Sequence, residues 1–365
     1  MDPKVSRRTA VAAGAAAGAA ALAACSAAGA PARIPAPVAG PRPARPHQPG
    51  VVTRPPDFAV FAAFDVRADL GAVLSRLTDR ITAVHRSDTA TVTVAVGASL
   101  FDARFGLVAA KPRLLATMPE FPNDVLNPGD CHGDLLLQVC APRADRVAAV
   151  VADLGRGLVP RWRIDGFRQE NGTTATGLPN TRNLFGFREG AGNPDPADRA
   201  LMDQLVWADE GEPSWAAGGT YQVVRLIRFA VELWNRDPVA RQEEIMGRRR
   251  GDGTPLAGGA EDARSDYSTD PDGLVTSLDA HIRRADPRTP ESENHRILRR
   301  GYSYRRHAGD EGLVFVCFQR DPDNGFAATQ RRLAGEALDK YVLPFGGGYY
   351  FVPPTVAALA GLTRG

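Results

Sequence analysis

The order of strand-like and helix-like segments is the feature of this sequence that most restricts its fold. A β-rich segment at 57–65 precedes Leu70 to Ile81, where apolar residues recur at helical spacing. Further patterns predict strands over Thr91 to Val96, Asp134 to Cys140 and Pro160 to Phe167, and a helix over Arg143 to Val159. The first half therefore has the order β-α-β followed by β-α-β.

The same order recurs in the second half of the chain. The patterns predict strands over Thr220 to Val231, Gly312 to Arg320 and Tyr349 to Val352, and helices over Pro238 to Arg249 and Phe326 to Val342. Two copies of a split β-α-β order are typical of ferredoxin-like units. We predict an α+β fold of two ferredoxin-like units with antiparallel sheets, of the dimeric α+β barrel type, with an N-terminal domain at 57–215 and a C-terminal domain at 216–365.

Two long irregular stretches, at 168–219 and 250–311, separate these elements and are rich in Gly, Pro, Asn, Asp and Arg. Long loops within a compact domain often carry function. We therefore expect the functional site to be built largely from these two stretches.

The N-terminus has the pattern of an export signal. Ser6-Arg7-Arg8-Thr9 precedes an uncharged, Ala/Gly-rich run from Ala10 to Ala24, which is typical of the twin-arginine route. A stable membrane span needs about 20 apolar residues, so the run is too short to be one. We predict that residues 1–25 direct export of the folded protein to an extracytoplasmic or periplasmic location.

The residues after this run predict an anchor and a tether. Leu22-Ala23-Ala24-Cys25 resembles a lipobox, in which Cys25 would carry a lipid; cleavage by an ordinary signal peptidase at a nearby Ala-x-Ala site is the alternative. Residues 26–56 are rich in Pro, Ala and Gly and poor in large apolar side chains. Such a segment cannot bury enough surface to fold, so we predict a disordered tether.

Composition and charge exclude several kinds of partner and site. The chain has 44 basic and 42 acidic residues, a net charge of +2, so there is no electrostatic reason to expect nucleic acid as a partner. The cysteines after the signal are Cys131, Cys140 and Cys317, and their spacing is not that of a zinc or iron–sulfur site.

The sharpest motif runs from Arg182 to Pro194 with the sequence RNLFGFREGAGNP. Its glycines permit positive φ and let a flat ligand approach the backbone. Partial burial beside Phe185 and Phe187 would suit the Glu189 carboxylate to acid–base work. The same composition also fits a connector with a solvated carboxylate.

Two further motifs lie in the second irregular stretch. Asp279 to Arg288, DAHIRRADPR, holds His281 among cations before an Asp-Pro turn, where a histidine is either a ligand or structural. Ile297 to Tyr304, ILRRGYSY, holds a pair of arginines that are either solvated or bind an anion or a peroxide oxygen.

Together these motifs resemble the dye-decolorizing (DyP-type) haem peroxidase family, and within it the exported deferrochelatase/peroxidase subgroup. Gly186 to Gly190 resembles the family's Gly-x-x-Asp-Gly signature. The segment 281–283 is similar to the one that supplies the proximal haem ligand, and 298–304 to the one that supplies the distal arginine. Further similar segments are Ala217 to Tyr221, Phe318 to Pro322 and Gly346 to Tyr349.

The resemblance implies haem b held mainly by the second unit. His281 would be the proximal ligand of the haem iron, with Glu336 or Asp339 bonded to its other ring nitrogen. Arg299 would contact the haem and stabilise the negative charge that develops as the peroxide O–O bond breaks. Glu189 would move the peroxide proton from one oxygen to the other.

The resemblance also assigns residues to haem binding and exposes one departure from the family. Arg248 is expected to pair with a haem propionate, and Phe187 and Gly190 to contact the haem. The family's distal acid is Asp, whereas Glu189 is longer by about 1.5 Å. It could work normally, work slowly and leave Arg299 as the main catalyst, or turn away; we expect retained activity.

Three functions follow. The first is hydrogen-peroxide-dependent one-electron oxidation of dyes or phenols, in a protein that the family resemblance implies is a homo-oligomer. The second is release of iron from haem, with weak peroxidase activity, beside membrane iron-transport components. The third is a small-molecule binding module without haem. Trp207, Trp215 and Trp234 are either electron relays for the first function or core residues.

Overall fold

The structure is a computed structural model that describes residues 46–173, 179–209 and 211–362. In this part of the chain the strands are β1 (Phe58–Asp65), β2 (Thr91–Gly97), β3 (Leu135–Ala141), β4 (Val159–Phe167), β5 (Gln169–Thr173), β6 (Pro179–Arg182), β7 (Thr220–Phe229), β8 (Leu298–Arg299), β9 (Tyr302–His307), β10 (Asp310–Gln319) and β11 (Val342–Val352). The helices are α1 (Leu70–Arg86), α2 (Ala144–Leu154), α3 (Arg199–Leu205), α4 (Val231–Trp234), α5 (Val239–Met246), α6 (His281–Ala285), α7 (Pro290–Glu293), α8 (Ala328–Leu333) and α9 (Val356–Gly361).

Eight strands close into one antiparallel barrel. Their hydrogen-bonded order is β7-β11-β2-β3-β1-β4-β9-β10, and β10 pairs back onto β7. Pairing within each half of the chain is long, whereas the halves meet at two short seams. Two residue pairs join β11 to β2, and two join β4 to β9. The mixed α+β class predicted from the sequence is confirmed, with strands of both halves in one ring.

Alternation along the strands divides the core into an inner and an outer layer. In β1, Ala59, Phe61 and Ala63 belong to the cluster that fills the barrel, while the residues between them belong to the cluster packed with α1 and α2. α1 forms where its apolar spacing predicts it and is capped by the Asp69 side chain, which accepts from the Ala72 N–H at 2.7 Å.

The helix predicted over Phe326 to Val342 is wrong in its second half. A π-helical turn at Asp323–Ala327 leads into α8, which ends at Leu333. Gly335 then takes a positive φ of 78°, a conformation open to glycine that ends a helix. A 3₁₀ turn at Ala337–Tyr341 follows, and β11 starts at Val342.

Other predicted boundaries also shift. The strand that begins at Thr220 ends at Phe229 rather than Val231, because the chain turns there into α4. The helix predicted from Arg143 to Val159 ends at Leu154, since Gly155 and a positive-φ Gly157 follow it. The closing strand is longer than predicted, because all of β11 pairs with β7.

The predicted tether is wrong at its C-terminal end. Gln48 is buried, with its amide donating to the carbonyl oxygens of Val94 at 3.0 Å and Pro353 at 2.9 Å. Val51 is buried inside the barrel cluster. The predicted signal at 1–25, with Cys25, and most of the tether lie outside the described residues. No helix in the described ranges is long and apolar enough to cross a membrane.

Candidate active site

A cavity of about 290 Å³ lies on the outer face of the barrel's second half. Phe229 of β7 and Leu313 of β10 form its floor, and the two irregular stretches cover it. All three sequence motifs reach it, because Glu189, His281 and Arg299 line the same space. The tertiary structure therefore brings Glu189 to His281 and Arg299, which lie 92 and 110 positions further along the chain.

His281 forms one wall of the cavity. It is the first residue of α6, not part of a loop as its sequence context predicted. Its Nδ1 lies 2.7 Å from Oε2 and 3.0 Å from Oε1 of Glu336, so Nδ1–H donates to that carboxylate. Among the residues that the structure describes, none is hydrogen-bonded to Nε2. Burial lowers the pKa of His281, but the charge and hydrogen bond of Glu336 outweigh it and raise the pKa overall.

Of the two predicted partners of His281, the geometry selects Glu336. The Asp339 carboxylate instead accepts from the Gly335 N–H at 3.0 Å. The break at Gly335 brings Glu336 to the histidine, since a continuous helix would carry the chain past this position.

A pair of arginines fixes α6 against the end of α8. Arg284 donates to the carbonyl oxygens of Arg332 and Ala334, each at 2.8 Å. In return, Arg332 donates to Arg284 O at 3.1 Å and Ala285 O at 2.7 Å. These four bonds hold the segment that carries His281 beside the segment that carries Glu336.

Glu189 and Arg299 form a second wall. The Glu189 N–H donates to Thr181 O at 2.9 Å, which places it at the base of a hairpin that begins at β6. Arg299 in β8 donates through Nη2 to Ala191 O at 2.7 Å. Asn193 forms two hydrogen bonds with the backbone of the same arginine. Its Nδ2 donates to Arg299 O at 2.8 Å, and its Oδ1 accepts from Arg299 N at 3.0 Å.

These bonds join the motif at 182–194 to the motif at 297–304. Glu189 and Arg299 share the cavity with His281 but are not hydrogen-bonded to it. The positive charge of Arg299 lowers the pKa of His281 and the negative charge of Glu189 raises it. The Glu189 carboxylate, the Arg299 guanidinium and the His281 imidazole thus line one cavity.

Sequence reasoning missed a residue that holds Glu189. The Asn183 side chain donates through Nδ2 to Glu189 Oε1 at 2.9 Å. Asn183 lies inside the quoted motif, six positions before the carboxylate, but only the turn of the hairpin brings the two side chains together.

Arg248, predicted to pair with a haem propionate, lines the cavity, but its guanidinium already has partners. Its guanidinium donates to the carbonyl oxygens of Gly253 at 2.8 Å, Glu261 at 3.2 Å and Ala263 at 2.7 Å. Burial, followed by the nearby charge of Arg299, lowers the pKa of Arg248 to about 10. Its evident role is to hold the loop at 253–263, which makes it a weaker candidate for binding an anion.

Other arginines, which sequence reasoning did not select, also reach the cavity. The Arg188 side chain is only 3% exposed and pairs with Asp262 and, at 3.7 Å, with Glu261. Its Nε has no hydrogen-bond partner among the residues that the structure describes. Arg288 and Arg296 line the same space. Each of these arginines also pairs with a carboxylate: Arg288 with Asp286, and Arg296 with Glu293 at 3.8 Å.

Phe187 and Gly190, the two remaining predicted haem contacts, line different cavities. Phe187 lines the cavity and packs edge-on against Trp234, with ring centroids 6.0 Å apart. Gly190 lies instead beside a smaller neighbouring cavity of about 170 Å³, which also contacts Glu189 and Arg299. A direct contact of Gly190 with a ligand in the main cavity is therefore not supported.

Two family models match nearly all of the described chain. The N-terminal model of the Dyp-type peroxidases matches residues 48–168, and the C-terminal model matches residues 180–357. The chain belongs to the Dyp-type peroxidase family, whose members are oxidoreductases.

Individual relatives agree with the family models. The chain is 41% identical over 350 residues to the deferrochelatase of Escherichia coli strain K12, covering 85% of this chain and 83% of that protein. A DyP-type peroxidase from Cellulomonas bogoriensis superposes with a TM-score of 0.76 at 34% identity, over 86% of this chain and 96% of that one. An oxyferrous complex of DtpA from Streptomyces lividans superposes with a TM-score of 0.75 at 33% identity, over 85% and 92%.

Proposed function

We propose that this peroxidase binds haem b in the cavity and uses hydrogen peroxide to oxidise dyes or phenols by one-electron steps. The observation that carries the proposal is the shared cavity: an imidazole held by a buried carboxylate on one wall, and a carboxylate with an arginine on another. The DtpA relative supports iron chemistry, because its structure is an oxyferrous complex.

The residues present fit a haem. His281 offers a free Nε2, and the bond from Nδ1–H to Glu336 is the arrangement that orients a ligating histidine. Phe187, Phe229 and Met246 offer an apolar surface to the ring. Arg188 pairs with Asp262, but its Nε has no hydrogen-bond partner among the described residues, which leaves it a donor for a propionate.

The proposed chemistry of this chain's residues is acid–base and electrostatic. When bound, haem supplies the iron that exchanges electrons with peroxide. Glu189 takes a proton from one peroxide oxygen and returns it to the other. Arg299, held by Ala191 and Asn193, stabilises the negative charge on the departing oxygen. The aromatic cluster around Phe187 limits water at this site.

The first test is stopped-flow absorbance of the haem-loaded protein mixed with hydrogen peroxide. We expect rapid loss of the ferric spectrum, slowed about 10²–10⁴-fold in Glu189→Gln and about 10²–10³-fold in Arg299→Leu. A stable ferric spectrum in the wild-type protein would overturn peroxidase activity. Absence of a Soret band after haem loading would overturn haem binding and favour a small-molecule binding module.

A second candidate function is release of iron from haem, with weak peroxidase activity. It is favoured by 41% identity to a protein named deferrochelatase, and it would place the chain beside membrane iron-transport components. The products distinguish the two: intact iron-free porphyrin supports release, whereas rapid reductant oxidation with retained haem supports the peroxidase.

We also propose that the barrel consists of two ferredoxin-like units. The strands of the first half lie in the order β4-β1-β3-β2, and those of the second half in the matching order β11-β7-β10-β9. The boundary between 215 and 216 remains a prediction. Homo-oligomerisation is proposed from the family resemblance, and sedimentation velocity tests it.

Export by the twin-arginine route, with lipidation at Cys25, remains a proposal from the sequence alone. Lysine substitution of Arg7 and Arg8 should retain the protein in the cytoplasm, and Cys25→Ala should release it from the membrane fraction. Among the tryptophans, Trp234 is fully buried, Trp207 is buried and stacks on His47, and Trp215 is half-buried. This burial favours their role in the core over a relay to large substrates.

A further inference from the structure

We propose that Asn183 is the positioning residue of the distal acid: its side-chain amide holds Oε1 of Glu189 and leaves Oε2 as the oxygen that exchanges a proton. The inference rests on the acid–base role proposed above for Glu189. It assigns a function to a residue that acts through the Glu189 carboxylate.

The contact itself is short and lies at the cavity wall. Asn183 Nδ2 is 2.9 Å from Glu189 Oε1, and both residues line the main cavity. Both are half-buried, so the bond is shielded from much of the solvent that would compete with it.

The hairpin decides which way the amide of Asn183 points. Its Oδ1 accepts from the backbone N–H groups of Phe185 and Phe187, each at 3.1 Å. Because an amide oxygen only accepts and its nitrogen only donates, two backbone donors on one side place Nδ2 on the other. The Asn183 backbone closes the same turn, since its N–H donates to Phe187 O and its carbonyl accepts from Gly186 N, both at 2.9 Å.

A fixed donor makes the two oxygens of the carboxylate unequal. Nδ2 cannot accept a proton from Oε1, so Oε1 remains an acceptor while the bond holds. Within the described ranges, no second hydrogen bond to this carboxylate is present. A Cβ built on Gly301 would lie 3.8 Å from Oε2, so the missing side chain leaves room beside this oxygen. Gly301 lines both cavities, which places Oε2 next to open space.

The same contact bears on the length of Glu189, because the family resemblance implies an aspartate at this position. Glu has one more rotatable bond than Asp, and a longer acid that samples several rotamers would be misplaced for proton transfer. Anchoring Oε1 removes this freedom. The hairpin thus compensates for the added methylene by fixing the far end of the side chain.

Charged groups from several elements surround this carboxylate. Two come from β8 and the residue after it, Arg299 and Arg300, and one from the residue after β4, Arg168. The others are Arg54 of the N-terminal segment, Arg188 next to Glu189 in the chain, and His281 at the start of α6. These charges surround the Glu189 carboxylate in every variant. The experiment therefore compares variants with one another rather than with a free glutamate.

The first measurement is the peroxide reaction of haem-loaded Asn183→Asp and Asn183→Ala. Asn183→Asp keeps an acceptor for the two backbone N–H groups, loses the donor to Glu189 and adds a negative charge. Asn183→Ala loses both the donor and the acceptor but adds no charge. We expect both to lower the second-order rate constant with peroxide about 10–100-fold. We expect the acid limb of the pH profile to move to higher pH, because a lost donor disfavours the ionised carboxylate. The Soret spectrum and the KM for reductant should not change.

Asn127→Asp is the matched control. Asn127 Nδ2 donates to Asp130 Oδ2 at 2.7 Å and its Oδ1 accepts from the Gly129 N–H at 3.2 Å, on an exposed turn outside both cavities. Its peroxide rate should stay within about twofold of wild type. A wild-type rate and pH profile in Asn183→Asp would overturn the proposal.

A second measurement does not depend on peroxide, and its main readout uses the wild-type protein. In protein loaded with diamagnetic zinc protoporphyrin, the Asn183 side-chain amide protons should shift with pH as Glu189 titrates. The shift should vanish in Glu189→Gln, and the Asn193 amide should not show it. A pH-independent Asn183 amide would overturn the contact. Failure of the wild-type protein to react with peroxide, with this titration intact, would overturn the proposed function and leave the Asn183 contact standing.

Discussion

At the scale of single residues, the site depends on which neighbour each ionisable group meets. His281 and Glu189 are both ordinary residues in the sequence, and each gains a defined orientation from one hydrogen bond, to Glu336 and from Asn183. Glu336 and Asp339 are close in sequence and equally plausible as partners of His281, yet only Glu336 contacts it.

Glu336→Gln tests the histidine side of the cavity. It removes the negative charge that, in the proposed haem complex, would stabilise positive charge on the His281 imidazole and on the iron. We expect the reduction potential of the bound haem to rise and haem affinity or activity to fall about 10–100-fold, measured by spectroelectrochemistry and haem titration. Asp339→Asn is the control, since its side chain accepts from Gly335 N–H and not from His281. Equal potentials in wild type and Glu336→Gln would contradict the assigned role.

At the scale of elements, the hairpin from Arg182 to Glu189 sets the position of the acid. Gly186 has a φ of 84°, and a Cβ there would lie 2.6 Å from Arg250 Nε. Gly190 has a similar φ of 82° but nothing within 4 Å of its Cβ position. A side chain at Gly190 would meet backbone strain alone, whereas one at Gly186 would meet both backbone strain and a clash with Arg250.

Gly186→Ala should destabilise the protein more than Gly190→Ala. Both substitutions carry the left-handed strain of about 1–2 kcal/mol, and only Gly186→Ala also displaces the Arg250 guanidinium. Urea unfolding of the two variants measures the difference in unfolding free energy. Equal losses would show that Arg250 moves aside without cost.

A charge cluster around the buried Asp310 carboxylate holds the β9–β10 hairpin and gives a pH-dependent prediction. Asp310 accepts from Arg306 at 2.7 Å, Tyr304 at 3.1 Å and Arg228 at 3.3 Å, with His307 Nε2 3.6 Å away. Burial raises the pKa of Asp310, but these three donors outweigh it and hold the pKa below its ordinary value. A depressed pKa stabilises the fold above the ordinary value of about 3.9, and this contribution is lost as pH falls through the depressed value.

Asp310→Asn should therefore lower the unfolding free energy by about 1–3 kcal/mol near neutral pH, with a smaller difference below about pH 4. Chemical unfolding at several pH values measures this. Asp145→Asn should change little at any pH, because the Asp145–Arg143 pair is exposed. A pH-independent loss in Asp310→Asn would mean that packing, not charge, is what the substitution removes.

At the scale of the whole molecule, the barrel closes through two seams of only two residue pairs each, and buried amides reinforce the closure. Gln222 of β7 donates to Gln138 of β3 at 2.8 Å, across the two halves. Gln48 bonds to both the N–H and the carbonyl of Val94 in β2 and to the carbonyl of Pro353 after β11. The N-terminal segment thus acts as a strap over the β11–β2 seam.

Gln48→Ala tests this strap. The substitution leaves the buried Val94 N–H and two carbonyl groups without their partner, at about 1–3 kcal/mol for each unpaired group. We expect a lower urea midpoint, and faster hydrogen exchange in β2 than elsewhere in the barrel. Gln204→Ala, which removes an exposed side-chain bond to Asn294, should have little effect. An unchanged midpoint in Gln48→Ala would show that the segment rests on the barrel without stabilising it.

The sequence by itself determined the strands β1 to β4, β7 and β10, the end of β11, the helix α1 and the motifs around Glu189, His281 and Arg299, because alternation, helical spacing and glycine-rich turns are local properties. It did not indicate β5, β6, β8 or β9, which lie in the two irregular stretches. It could not determine that Phe326 to Val342 breaks at Gly335, since the apolar residues of that segment fit a helix until the backbone conformation of one glycine is known. It also placed Gln48 and Val51 in a tether, because their burial depends on a seam formed by distant strands. Only the tertiary structure decided which partners His281, Glu189 and Arg299 meet, since those contacts join chain segments whose distance apart no local pattern encodes.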